Sequence, residues 1–160
     1  MISSLCDNLR NLRFKFSNAD YADCRREGQG ADGMKLNDLT YTIIGAAMKV
    51  HRILGPGLLE SAYEACLAYE LEKLGLRVER QKPIPLIYED VKLDCGFRAD
   101  LLVEGLAVVE LKAKEALHPI DSAQALSHLR LMKLSLALLI NFHVVDLKEG
   151  IHRIVNNYQE

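Results

Sequence analysis

Phe97-Arg98-Ala99-Asp100-Leu101-Leu102-Val103-Glu104-Gly105-Leu106-Ala107-Val108-Val109-Glu110-Leu111-Lys112 is the stretch around which the rest of the chain can be arranged. It reads as two short apolar strands joined at Glu104-Gly105, a turn signal between β-forming runs. The two-residue period of a strand puts Leu106, Val108, Glu110 and Lys112 on one face. Ala107, Val109, Leu111 and Ala113 share the other. Both faces begin apolar, so this second strand is expected to be covered on both sides, deep in a sheet. Ionisable groups at the end of such a strand are costly unless paired or bound to a metal. The bland alternative is a charged strand end at the rim of the sheet, and Asp followed later by Glu-x-Lys arises often by chance.

A chain of 160 residues is long enough for one domain with a real core. Nearly half of its residues are hydrophobic and 26% are charged, the balance of an ordinary globular protein. The formal net charge of −2 excludes a global basic field, so contact with nucleic acid has to come from a local patch or a metal. No apolar run approaches membrane-spanning length, and the N-terminus lacks the apolar core of a signal peptide. Cys6, Cys24, Cys66 and Cys95 form no CxxC pair, which argues against zinc and for a reducing, cytoplasmic compartment. Cys66 sits on an apolar helix stripe and reads as a small buried hydrophobe.

Residues 1–33 are polar and Gly-rich without a sustained period, and are expected to be a disordered tail, with Met34 an alternative start. The domain is then 34–160. A first helix is expected over 37–54, with Asn37 as N-cap and Leu39, Ile43, Ala46, Ala47, Val50 and Leu54 as its core face. His51 lies at the edge of that face and reads as structural. Gly55-Pro56-Gly57 breaks the helix, with Pro56 suited to the first position of the next. That second helix carries Leu59, Tyr63, Cys66, Leu67, Leu71 and Leu74, and Gly75 stops it. Glu60 falls inside the leucine arc and is expected to point inward, although a first-turn carboxylate also complements the helix dipole. Glu70 falls within the same arc.

Strands are expected over 76–81, 85–88, 92–103 and 106–113, then a helix over 122–133 and strands over 134–142 and 150–155. Asp121 with Gln124 three residues on reads as a capping box. The order describes a mixed α/β layer fold, a sheet between helices.

Several blocks together resemble a known family. Gly57-Leu58-Leu59-Glu60-Ser61-Ala62-Tyr63 is similar to the GxxExxY motif of a small bacterial family within the PD-(D/E)XK nuclease superfamily. Arg98-Ala99-Asp100-Leu101-Leu102, Glu110-Leu111-Lys112, Gln124, Leu139-Ile140-Asn141-Phe142 and Arg153-Ile154-Val155-Asn156 resemble its other blocks, in order, across 34–156. The resemblance implies a restriction-endonuclease-like mixed sheet flanked by helices, and a metal-dependent nuclease. It makes Asp100 and Glu110 the metal ligands and Lys112 the residue that orients or activates the attacking water. It makes Glu60 an outer or direct ligand and Gln124 a helper on the following helix. A Tyr is expected one turn after that Gln, and here the position is His128.

Hard oxygen ligands such as two carboxylates suit Mg²⁺ or Mn²⁺. Lys112 lies about 7 Å along the strand from Glu110, on the same side. The expected substrate is nucleic acid, DNA first, and a homodimer would let one site per chain cut both strands. The competing function is a catalytically idle nuclease-fold module serving as a binding partner or scaffold. The hairpin register bears on the choice. A two-residue loop would turn Asp100 off the Glu110 face, so a three-residue loop or an added bulge is expected. With Val103-Glu104-Gly105 as that loop, Asp100 would oppose Val108 and Glu110 would sit diagonally from it, about 7–8 Å between α-carbons.

Overall fold

The computed structural model describes residues 35–93 and 96–156. The tail expected over 1–33 and the alternative start at Met34 lie outside the described residues.

Helix α1 (Leu36–Leu54) buries Leu39, Ile43, Ala46, Ala47 and Val50, the periodic face read from the sequence. Its N-cap is Lys35 rather than Asn37, whose side chain accepts a bond from Arg153 at 3.0 Å instead. Helix α2 (Glu60–Lys73) starts later than Pro56 suggests, because Gly57 is left-handed (φ 102°) and holds the chain out of the helix. Tyr63 fastens this entry. Its hydroxyl donates to Gly55 O at 2.6 Å and accepts from Leu58 N–H at 3.1 Å, while its ring stacks on Phe142 at 4.4 Å. Glu70 is neutralised by Lys49 of α1 at 2.5 Å, which ties the two helices together.

Five strands form one sheet in the order β1 (Val78–Pro83), β4 (Arg98–Val103), β5 (Ala107–Lys112), β6 (Leu136–Asn141), β7 (Ile151–Val155). A separate hairpin pairs β2 (Leu86–Tyr88) with β3 (Val91–Leu93). The strand expected over 92–103 is therefore divided between β3 and β4, and Asp94 and Cys95 lie outside the described residues. All neighbours in the larger sheet are antiparallel except β5 and β6, which are parallel and joined by α3 (Pro119–Met132). A parallel pair needs such a crossover. The result is the mixed sheet between helices that the element order implied.

The central strand β5 is buried along its length until Lys112. Its odd positions join Leu101, Val103, Leu138 and Ile140 in a core under α1 and α2. Its even position Val108 joins Leu102, Ala125, Leu129 and Ala137 in a smaller core under α3. Each large aliphatic side chain closed off in this way stabilises the fold by about 1.5–3 kcal/mol. His51 is buried within the first core and its Nε2 meets Val144 O at 2.8 Å, a structural role as read. Cys66 is half-buried against that core and carries a free thiol.

The β4–β5 loop has three residues, Glu104-Gly105-Leu106, since Val103 pairs with Ala107. Its first two residues are left-handed (φ 54° and 70°) and Leu106 N–H closes the turn on Val103 O at 3.0 Å. A left-handed Glu is tolerated because Arg77, just before β1, anchors it: Glu104 N–H bonds Arg77 O, and its carboxylate accepts Arg77 N–H. The loop begins one residue later than 103–105. Continued one step past Leu101–Val109, this register sets Asp100 opposite Glu110 rather than Val108.

Candidate active site

Where β4 and β5 stop pairing, the sheet opens. The last ladder pair is Leu101–Val109, and the next N–H in need of a partner, that of Leu111, donates to Asp100 Oδ2 at 2.8 Å. Asp100 thus occupies the gap between the strands. Glu110 lies across from it with 2% of its surface exposed, on the α3 side. Its Oε1 is 2.7 Å from Nδ1 of His128, itself 2% exposed. Burial raises the Glu110 pKa. The His128 bond opposes that, the Asp100 charge adds to it, and the charges of His128 and Lys112 oppose it; the net direction is upward.

Lys112 closes β5, half-buried. Among the described residues its ammonium has no hydrogen-bond or ion-pair partner, although its charge acts on both Glu110 and Asp121. Beyond it, Glu60 Oε1 accepts from Ala113 N–H at 3.2 Å. Glu60 is exposed, which corrects the expectation that it points inward. It is the first residue of α2, so no preceding turn continues the leucine stripe beside it. The inward position belongs to Glu64 one turn later, 7% exposed and bonded to Arg80 and Gln81.

Gln124 is exposed on α3 and makes no side-chain bond to Asp100, Glu110 or Lys112. It lines a groove of about 480 Å³ with Leu86, Phe97, Ile120 and His128, so it reaches the neighbourhood of the site only through His128. The capping box also differs from the one expected. Pro119 takes the first helical position, His118 becomes the N-cap, and Asp121 is the third residue rather than the cap. Its carboxylate accepts His118 N–H at 2.7 Å and pairs with Lys114 at 2.6 Å. Burial works against the Asp121 charge, but the Lys114 bond, the His118 N–H and the nearby Lys112 outweigh it and lower its pKa. Asn141 at the end of β6 completes the rim. Its amide brackets Lys114, accepting from the N–H at 3.2 Å and donating to the carbonyl at 2.7 Å.

Two of these residues, Glu64 and Gln81, escaped the sequence reading, and a third was read only in part. Glu64 had a signal, since Leu67 and Leu71 follow it at helical spacing. His128 was noticed only as a departure from Tyr, and Gln81 had no signal at all.

Asp100, Glu110 and Lys112 at the open end of a β-hairpin, with a parallel β5–β6 pair and its crossover helix behind them, define a PD-(D/E)XK-type core. The model of the PD-(D/E)XK nuclease superfamily matches residues 37–154, and the chain belongs to that superfamily. No curated protein and no solved structure matches it. No helix among the described residues is long and apolar enough to cross a membrane.

The donor set fits a hard divalent cation of the kind the superfamily implies. Among the described residues no cluster of three or more His, Cys, Asp and Glu side chains gathers that could hold a metal. Mg²⁺ does not need one, because it retains waters and is held by one or two carboxylates. Asp100 and Glu110 are the carboxylates that could supply these, and a cation would offset the burial and repulsion that push the Glu110 pKa up.

Proposed function

We propose that the chain is a Mg²⁺- or Mn²⁺-dependent nuclease that hydrolyses phosphodiester bonds in DNA. Within the superfamily, its GxxExxY-like blocks support placement in the family of that name. The observation that carries the reading is the Asp100–Glu110 pair at the open end of β4 and β5, beside a Lys112 without a partner among the described residues. A buried carboxylate with a raised pKa next to a second carboxylate is a poor structural choice and a useful ligand pair.

In this reading Asp100 and Glu110 hold the cation, which neutralises charge on the scissile phosphate and its attacking and leaving oxygens. Lys112, a flexible ammonium, orients the attacking water or a phosphate oxygen. Glu60 steadies the strand end at Ala113 and with it the presentation of Lys112. Gln124 offers its exposed amide to the substrate backbone from α3. One site per chain cuts one strand, so cleavage of both strands would take two copies.

The test is a panel of single-stranded and duplex DNA, RNA and supercoiled circles incubated with Mg²⁺, Mn²⁺ or EDTA, beside Asp100→Ala. Metal-dependent cleavage that is lost in Asp100→Ala is expected, and nicked against linear circles separate one-strand from two-strand cutting. Binding without cleavage by folded protein under every metal condition would move the assignment to the idle scaffold.

A further inference from the structure

We infer that Gln81 is a positioning residue for Asp100: a left-handed turn of β1 at Gln81 opens the ladder opposite Asp100, and the Gln81 amide ties that carboxylate to the buried Glu64. The inference rests on the metal-ligand role proposed for Asp100 and adds the residue that sets its position.

Three observations converge. First, β1 and β4 pair at Arg80–Leu101 and at Lys82–Ala99, and the pair between them, Gln81–Asp100, is missing. Gln81 has φ 48° there, in the middle of a strand, where an extended backbone would be cheaper. Second, the alternation of β4 breaks at the same place. Leu101 packs under α1 and α2, but Ala99, which strict alternation would put beside it, packs in the core under α3. Asp100 is the residue across which the strand changes face, and this frees its carboxylate to enter the gap toward Leu111.

Third, the Gln81 side chain spans two carboxylates. Its Nε2 donates to Glu64 Oε2 at 2.6 Å and approaches Asp100 Oδ1 at 3.4 Å. Ionised carboxylates only accept, so the amide must present its NH₂ to both, and its orientation follows from the chemistry of its partners. Glu64 is fixed in turn by Arg80 Nε at 2.8 Å. Among the described residues each Asp100 oxygen then has one contact, Oδ1 to Gln81 and Oδ2 to Leu111 N–H, which sets the plane of the carboxylate. Contacts behind a ligand of this kind orient it and tune its affinity.

Mn²⁺ binding to the full chain, measured by titration calorimetry, tests the inference, with melting temperatures taken in EDTA. Gln81→Gly keeps the left-handed backbone without steric cost and removes the side chain with its amide. It is expected to melt close to the parent and to bind Mn²⁺ about tenfold more weakly. Gln81→Asn, which tolerates the same backbone but carries a shorter amide, is expected to fall between the two. Parental affinity in Gln81→Gly, beside a loss of binding in Asp100→Ala, would overturn the inference and leave the metal site standing. Should the Gly variant be too unstable to titrate, parental affinity in Gln81→Asn overturns it equally. A parent that does not bind Mn²⁺, or an Asp100→Ala variant that binds it as well as the parent, overturns both readings.

Discussion

Nδ1 of His128 lies 2.7 Å from Oε1 of Glu110, and each side chain is only 3% exposed. A buried carboxylate without a donor is costly, so α3 supplies the group that makes Glu110 tolerable on an apolar strand. His128→Phe should therefore destabilise the protein by about 1–3 kcal/mol. His128→Tyr restores a hydroxyl donor and should recover part of that loss. Urea unfolding of the three proteins in EDTA checks the order, and a Phe variant as stable as the parent would remove the His128 contact from the account.

Glu110 is held at a raised pKa, first by burial. A carboxyl that binds its proton more tightly folded than unfolded loses stability as pH rises between the two pKa values. Its ionised form thus opposes folding. Glu110→Gln, which keeps an acceptor for His128, is expected to raise the melting temperature in EDTA while abolishing Mn²⁺ binding. A lower melting temperature would mean that the charge itself stabilises the fold.

Tyr63 holds Gly55 O and Leu58 N–H with one hydroxyl while its ring packs on Phe142. Tyr63→Phe preserves the stack and leaves both backbone groups without that partner. A loss of about 1–3 kcal/mol is expected. Faster amide exchange over residues 55–60 should accompany it, because the left-handed Gly57 entry to α2 is no longer pinned.

Asp121 shows the opposite sign to Glu110. Its folded pKa is lowered, so it adds stability above its unfolded pKa, roughly pH 4, and the contribution fades as pH falls through the lower folded value. Asp121→Asn should cost about 1 kcal/mol at neutral pH through the lost pairing and weakened cap. The difference from the parent should shrink in acid, below roughly pH 4. A pH-independent gap would show that the Lys114 pair contributes nothing.

Much of the fold was legible because burial imposes a period on the chain. Leu39 to Val50 repeat as a helix, and Leu106 to Val109 are apolar on both faces, as a central strand requires. Ends were less legible. Asn37 looks like a cap but bonds Arg153, 116 residues away, and the box expected from Asp121 and Gln124 moved to His118 and Asp121. Local capping signals compete, and the long-range bond or the proline decides between them.

By itself the sequence determined the two-faced strand β5 and the helices on both sides of its sheet. These follow from hydrophobic alternation and periodicity, local properties of the chain, whereas the hairpin register came one step off the expected one. Tertiary structure decided what stands behind each charge. His128 reaches Glu110 from a helix 18 residues on, and Gln81 reaches Asp100 from β1 while its amide is held by Glu64 of α2. Glu60 went to the strand end instead of the interior. A hydrogen bond between distant elements depends on how they dock, and docking is set by the packed core as a whole rather than by any spacing within one segment.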